Sequence, residues 1–204
     1  MTQGFSTILE LASYFFTVLL VLIIHFFLTY GSLLFLLTKV RLVYFYSKMK
    51  NAILFAFSTA SSAATIPVTL KTVEEELKVE KSVASFSVPL GATINMDGTA
   101  IMQGVATIFI ANAYGINLEI SDFISVIMVA TLASIGTAGV PGVGLIMLAM
   151  VLNQVGLPSE GIALIIGIDR LLDMTRTAVN VTGDAAISCV VASSEKKINY
   201  NYKE

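Results

Sequence analysis

Four charged side chains recur at helical spacing near the end of this chain, inside a strongly apolar stretch. With one asparagine they form a single set: Asp169, Asp173, Arg176, Asn180 and Asp184. At about 100° per residue these positions fall within about 80° of one another, so on an α-helix they share one polar stripe. A guanidinium binds a carboxylate through two parallel hydrogen bonds, whereas carboxylate and amide oxygens suit hard cations. The stripe therefore predicts a site for a carboxylate ligand and for cations.

The stretch that carries these charges is apolar enough to lie in a membrane. The chain has 204 residues, of which 56% are hydrophobic and 13% are charged, and its mean hydropathy is +0.85. This composition is typical of an integral membrane protein rather than a soluble domain. One ionised group near the bilayer centre costs on the order of 2.5–3.5 kcal/mol. The charged side chains are therefore expected to face protein, water or a bound ligand.

Carboxylates outnumber the guanidinium in the apolar segments. On the predicted polar faces, Asp97, Asp169, Asp173 and Asp184 stand against Arg176. Bound Na⁺ or protons are expected to balance the remaining negative charge. Arg176 and Asp173 could hold the side-chain carboxylate and the ammonium group of an acidic amino acid. The simpler alternative is that these two residues only neutralise each other at helical spacing, which leaves Asp97 and Asp184 without a role.

Other chemistries find no support in the residue types. Cys189 is the only cysteine, which excludes an intrachain disulfide and a CxxC metal or redox site. Ser61 and Ser62 have no lysine or histidine base at the same depth, so a serine hydrolase is not expected. His25 stands alone in an apolar stretch and is expected to serve helix packing or a chain end. We therefore predict no enzyme activity, no organic cofactor and no nucleic-acid partner.

Basic residues are confined to short segments, which orients the chain. Ten of the twelve Lys and Arg residues lie in 39–50, 71–81 and 196–203. The positive-inside rule places these segments in the cytoplasm. The connecting stretches 112–123 and 152–161 contain acidic residues and no basic residue, which suits the outer face.

The lengths between these segments predict how the chain passes through the membrane. The predicted crossings are 9–38, 83–112 and 161–192, the predicted re-entrant hairpins are 41–70 and 124–157, and 193–204 is a cytoplasmic tail. Each hairpin has small, helix-breaking residues near its middle, at 58–67 and at 133–142. The predicted fold is an all-α membrane protein with three transmembrane helices and two re-entrant helical hairpins in an inverted repeat. Secondary transporters use such repeats to hold a substrate near the midplane.

A third polar motif interrupts the predicted crossing 83–112. The sequence Asn95-Met96-Asp97-Gly98-Thr99 lies near its middle, and Asp97 is the only charged residue of the crossing. Pro89 and Gly91 weaken the helix before the motif and free backbone carbonyls that can bind a cation. The motif therefore predicts a second group of cation ligands.

Taken in order, the motifs resemble those of the glutamate transporter family, the dicarboxylate/amino acid:cation symporters. They are the serine-rich tip at 61–67, the motif at 95–99, the glycine-rich tip at 134–142 and the stripe at 169–184. The resemblance covers nearly the whole chain. It implies cation-coupled symport of glutamate or aspartate by alternating access.

The resemblance also implies a role for individual residues. Arg176 would bind the side-chain carboxylate of the substrate and Asp173 its amino group. The pocket would be completed by Ser62, Thr99, Val140, Thr177 and Asn180. One sodium site would use Asp184 with the carbonyls of Gly91, Asn95 and Asn180, and a second the carbonyls of Thr93, Ser134, Ile135 and Thr137. A third would combine Asn95 and Asp97 with an earlier helix of the family.

Further expectations concern the whole transporter. The second hairpin, 124–157, would close over the substrate as the outer gate. The resemblance implies family members about twice this length, so this chain is expected to be the C-terminal half of a multi-pass protein of the plasma (inner) membrane that forms homotrimers. Many members carry a further arginine at one of two positions, which are Ala60 and Met174 here. That departure bears on affinity and on potassium counter-transport.

Two other functions stay open on this evidence. A C4-dicarboxylate symporter would share the architecture but would offer no ammonium group to Asp173. A non-transporting membrane fragment would only bind or inhibit a longer homologue. The choice between Na⁺ and H⁺ as the coupling ion and the stoichiometry stay open as well.

Overall fold

A computed structural model describes residues 2–200 of the chain, with side chains from Ile8 onward. This part of the chain is helical and has one isolated β-bridge, between Val79 and Ile198. Its α-helices are α1 Thr2–Ile24, α2 Tyr30–Leu37, α3 Leu42–Thr59, α4 Ser62–Lys71, α5 Lys81–Ile94, α6 Asp97–Ala113, α7 Ile120–Ser134, α8 Val143–Gln154 and α9 Ile166–Ser194. Two π-helical turns, His25–Thr29 and Thr72–Glu76, and a 3-10 turn, Ser159–Leu164, join some of them. The prediction of an all-helical protein is confirmed.

The first two helices form one long apolar element. Within the described residues, Ile8–Leu37 is the one helical stretch whose length and composition would allow it to cross a membrane. Its buried side chains are Tyr14, Val18, Leu22, Tyr30 and Leu34. The π-helical turn between α1 and α2 takes an extra residue into the helix, which lets both halves bury the same face. The Tyr46 hydroxyl donates to the Phe26 carbonyl in this turn at 2.7 Å.

Helices α3 and α4 form a helical hairpin whose tip is a tight two-residue turn. Ala60 ends α3 in the left-handed conformation, with φ 51° and ψ 33°. Ser61 caps α4, because its side-chain oxygen accepts a hydrogen bond from the Ala64 amide at 3.1 Å. The hairpin lies within the segment 41–70, which we predict to be re-entrant.

Helices α7 and α8 form a second helical hairpin, within the segment 124–157. Its tip runs from Ile135 to Gly142 and contains two glycines at positive φ, Gly136 at 82° and Gly142 at 79°. Side chains are strained in this conformation, so glycine is needed at both positions. The tip leaves the helical path without a long loop.

The polar motif at 95–99 divides the segment 83–112 into two helices. Helix α5 ends at Ile94, α6 begins at Asp97, and the two residues between them have non-helical backbone angles. Pro89 lies inside α5, one turn before the break. The break exposes the end of α5 and the start of α6 to the same neighbour, which is α9.

Helix α9 is the centre of the structure. It contacts all six helices from α1 to α6, and most of its residues between Asp169 and Ala192 are buried. Small residues such as Gly183 allow the neighbouring helices to approach closely, since a Cβ there would collide with Tyr30 and Asn95. After α9 the chain pairs with the α4–α5 connection through the bridge of Val79 and Ile198.

Candidate functional site

The guanidinium of Arg176 lies at the heart of the α9 stripe. It is 1% exposed and contacts two carboxylates of the same helix. Nη1 donates to Asp169 Oδ1 at 2.6 Å and Nη2 donates to Asp173 Oδ1 at 2.9 Å. A second bond from Nη2 to Asp169 Oδ2, at 3.3 Å, makes the contact with Asp169 bidentate. The charge of Arg176 is thus neutralised by two partners, not by Asp173 alone.

Asp173 links the stripe to the second hairpin. Its Oδ2 accepts a hydrogen bond from the Gly142 amide at 2.9 Å. Gly142 ends the tip and immediately precedes α8. The carboxylate that touches Arg176 therefore also holds the hairpin tip in place.

A small cavity of about 10 Å³ is enclosed by residues of the two tips, α6 and α9. It is lined by six of the predicted substrate residues: Ser62, Thr99, Val140, Asp173, Thr177 and Asn180. Arg176 lies next to this cavity, since a Cβ added at the lining residue Gly144 would approach its Nη2 to 3.1 Å. A cavity of this size does not admit an amino acid, so a ligand can enter only if the tips move apart.

The two hairpin tips are bonded to each other directly. The Gly139 carbonyl accepts hydrogen bonds from the Ser61 hydroxyl at 2.7 Å and from the Ala63 amide at 3.1 Å. Gly139 is buried, and a Cβ there would lie 2.9 Å from the Ala63 amide nitrogen and 3.1 Å from the Ala92 carbonyl oxygen. These neighbours are backbone atoms and cannot rotate away.

Replacement of Gly139 by alanine is therefore expected to loosen the contact between the tips. We expect a loss of about 1–3 kcal/mol in unfolding free energy, which is the usual cost of overpacking. Thermal unfolding of the purified chain in detergent measures this loss. Gly104→Ala is the matched control, because a Cβ at Gly104 meets nothing within 4 Å and alanine favours a helix. Equal stabilities of the two variants would contradict the expectation.

The residues predicted for the first sodium site converge where α5 ends. The Asn95 amide nitrogen Nδ2 donates to Asp184 Oδ1 at 3.0 Å and to the Asn180 carbonyl at 3.3 Å. A Cβ at Gly91 would lie 2.6 Å from Asp184 Oδ1, so only glycine leaves room for the carboxylate. Asp184 is 2% exposed. The group offers a carboxylate and carbonyl oxygens, which are donors that fit Na⁺.

The residues predicted for the second sodium site meet at the tip of the second hairpin. The Thr93 carbonyl accepts a hydrogen bond from the Gly136 amide at 2.8 Å, and the Ser134 carbonyl accepts one from the Thr137 amide at 3.3 Å. Ser134 and Thr137 are buried, whereas Ile135 is half exposed. The end of α5 therefore contacts this tip through the Thr93 carbonyl.

Asp97 lies apart from the α9 stripe and faces the first helical element. Its Oδ2 is 3.0 Å from His25 Nε2 and accepts a hydrogen bond from the Tyr30 hydroxyl at 3.1 Å. Both partners flank or belong to the π-helical turn. His25, for which the sequence predicts a role in helix packing or at a chain end, packs against the Tyr30 ring and also contacts the Asp97 carboxylate. Asn95, the other residue predicted for a third sodium site, points to Asp184.

Two further polar side chains near the stripe were not singled out from the sequence. Tyr14 Oη and both amide atoms of Gln103 are buried and have no hydrogen-bond partner among the described residues. Their only signal in the sequence is that they are polar residues in apolar helices. No cluster of three or more His, Cys, Asp or Glu side chains able to hold a metal occurs in residues 2–200.

Comparison of the whole sequence with known proteins identifies relatives of this chain. The family model for the sodium:dicarboxylate symporter family matches residues 1–194. Excitatory amino acid transporter 3 of Mus musculus is 44% identical over 188 residues, which is 92% of this chain and 36% of that protein. Excitatory amino acid transporter 2 of Homo sapiens is 44% identical over 176 residues, 86% of this chain and 31% of that protein. An excitatory amino acid transporter of Caenorhabditis elegans is 46% identical over 175 residues, 86% of this chain and 35% of that protein. The chain spans about a third of the length of these relatives.

Proposed function

Because the chain belongs to the sodium:dicarboxylate symporter family, we propose that it forms the substrate- and cation-binding part of a symporter for acidic amino acids. The resemblance stated from its motifs is thereby confirmed at the level of the family. Coupling to Na⁺ agrees with the family description and with oxygen donors around Asp184. Glutamate and aspartate are the proposed substrates, in keeping with the names of the relatives.

The observation that carries this proposal is the burial of Arg176 beside the cavity between the tips. A permanently charged, planar group retained there needs a carboxylate partner, and it holds two within its own helix. A substrate carboxylate could replace the bond to Asp173, because Asp173 lines the cavity while Asp169 is buried behind it. The released Asp173 carboxylate would then face the substrate ammonium.

The same exchange would open the second hairpin. Asp173 holds the tip through the Gly142 amide at 2.9 Å, so a substrate ammonium that draws this carboxylate away competes with the tip for it. We propose that the hairpin 124–157 acts as the outer gate and that its tip moves away from Ser61 and Asp173 to admit the substrate. Binding and gate movement would be coupled through one carboxylate.

The arrangement in the membrane is part of the proposal. The two helical hairpins, each followed by a helical segment, would form the inverted repeat and enter the bilayer from opposite sides. The chain would be multi-pass in the plasma (inner) membrane, and the remaining parts of a longer transporter, including those that form a homotrimer, would pack on its exposed apolar surface. The third sodium site would pair Asp97 with groups from such a part.

Equilibrium binding to the purified chain tests the proposal. We expect labelled L-aspartate to bind in the presence of Na⁺ and to be lost when choline replaces Na⁺. Binding that persists in choline at low pH and is lost at high pH would identify H⁺ as the coupling ion. An affinity for L-aspartate that changes neither with Na⁺ nor with pH would contradict cation coupling.

Competition separates the two remaining functions. A C4-dicarboxylate symporter would bind succinate at least as tightly as aspartate, since succinate has both carboxylates but no ammonium. We expect succinate to compete poorly, because it leaves Asp173 without a cation. Uptake into proteoliposomes by the chain alone is not expected, because relatives are about three times longer; uptake would show that this part transports by itself.

A further inference from the structure

A polar groove lies at the base of the first hairpin, away from the two tips. Its volume is about 540 Å³, and it is bordered by the start of α3, the end of α4 and the π-helical turn Thr72–Glu76. Three lysines line it: Lys48, Lys50 and Lys71. Asn51 adds an amide to its wall, while the hydroxyls of Ser47 and Thr72 donate to the carbonyls of Tyr44 and Val68. None of these residues belongs to the proposed transport site.

Of these three lysines, Lys48 forms an ion pair with a described residue. Lys48 Nζ donates to Glu76 Oε2 at 2.7 Å, and the Tyr44 hydroxyl donates to the Glu76 carbonyl at 2.6 Å. The hydrogen bond from Lys48 lowers the pKa of Glu76, and Lys71 contributes to this shift. Lys50 and Lys71 form no ion pair with any described residue. Three ammonium groups therefore stand against one carboxylate, which gives the groove a net positive charge.

The surface of α3 changes from charged to apolar between this groove and the tip of the hairpin. Lys50, Leu54 and Phe57 follow one another at intervals of four and three residues, so they share one face of α3. Leu54 is 63% exposed and Phe57 is 37% exposed. The face thus begins with an unpaired ammonium and continues with exposed apolar side chains. This order matches a phospholipid, whose phosphate is followed by acyl chains.

The positive-inside orientation puts the base of this hairpin at the cytoplasmic leaflet. Anionic lipids of that leaflet attract each nearby lysine by about 1 kcal/mol. Ammonium and amide groups are donors that bind phosphate oxygens. We propose that this groove binds the headgroup of an anionic phospholipid, with Lys50 and Lys71 on its phosphate and the acyl chain along Leu54 and Phe57. The inference rests on the predicted orientation and goes beyond the proposed transport function.

Native mass spectrometry of the full chain in uncharged detergent tests this site with short-chain phosphatidic acid as the probe. The K50Q/K71Q variant is expected to weaken phosphatidic acid binding by roughly tenfold or more. The matched control is K39Q/K81Q, which removes two exposed lysines outside the groove and should change binding by less than about twofold. K50R/K71R keeps both charges and should retain binding.

Each further outcome decides between this site and another source of binding. If K50Q/K71Q and K39Q/K81Q weakened phosphatidic acid binding equally, the proposal of a specific site in the groove would be wrong, because the overall positive charge of the surface would then explain the attraction. Glycerol phosphate that binds as tightly as phosphatidic acid would overturn the lipid assignment and identify a soluble phosphate ligand. Phosphatidylcholine that binds as tightly would overturn the role of net negative charge. Unchanged helical circular dichroism in K50Q/K71Q ensures that a loss reflects the site and not the fold.

Discussion

Replacement of Arg176 by glutamine is expected to abolish binding of L-aspartate. The guanidinium is the one cation among the residues around the cavity between the tips, and its fork geometry cannot be reproduced by an amide. Removing one partner of a buried ion pair costs about 3–5 kcal/mol, which corresponds to a loss of affinity of about 100-fold or more. Equilibrium binding of labelled aspartate in Na⁺ measures this loss. Arg170→Gln is the matched control, since Arg170 is exposed on the same helix.

The same substitution also leaves Asp169 and Asp173 without their buried partner, so the variant is expected to unfold at a lower temperature. The double variant D169N/R176Q removes one of the two carboxylates together with the guanidinium. We expect it to regain part of the lost stability while it still fails to bind aspartate. Aspartate binding of normal affinity by the double variant would show that Arg176 stabilises the helix and does not bind substrate.

Replacement of Asp184 by asparagine is expected to remove most of the stabilisation by Na⁺. A cation present at about 100 times its dissociation constant stabilises a protein by about 2.7 kcal/mol. Asp184 supplies the only carboxylate among the residues that converge beside Gly91 and Asn95. The difference between unfolding temperatures in sodium chloride and in choline chloride, at equal ionic strength, measures the effect.

The change in stability that D184N causes in the absence of Na⁺ shows whether Asp184 is a cation ligand or a structural group. A carboxylate that is buried without a cation destabilises the fold, so D184N is expected to be at least as stable as the unmodified chain in choline chloride. Glu160→Gln, at an exposed site near the 3-10 turn, should leave the sodium effect unchanged. A D184N variant that is less stable in both salts and keeps its full sodium shift would contradict the assignment.

The helical periodicity of α9 explains why part of the site could be predicted from the sequence. A period of 3.6 residues depends only on local geometry, so the polar stripe could be placed on one face before any contact was known. The second tip could be anticipated for a similar reason, because Gly136 and Gly142 permit the positive φ that ends the helical path, whereas Pro67 lies inside α4 and does not mark the first tip. The structure brings most of the predicted residues to the same cavity and to the end of α5.

Contacts between distant segments could not be predicted in this way. Ser61 and Gly139 are 78 residues apart, and His25 and Asp97 are 72 residues apart. Neither pair has a local pattern that marks it, because each depends on how whole helices pack. The sequence places Asp169 in the stripe, but only the structure shows that Asp169 accepts two hydrogen bonds from Arg176 and Asp173 accepts one.

The π-helical turn His25–Thr29 sets a limit on changes of length in the first helical element. Eight residues separate the buried Leu22 and Tyr30, and in an uninterrupted α-helix this spacing would rotate Tyr30 by about 80° away from the face of Leu22. The extra residue of the turn removes most of that rotation. Loss of one residue here would leave a regular α-helix in which a spacing of seven keeps Tyr30 within about 20° of the face of Leu22, whereas one added residue would rotate Tyr30 by about 100° away from it. We therefore expect natural variation at this turn to tolerate the loss of one residue and to exclude the gain of one.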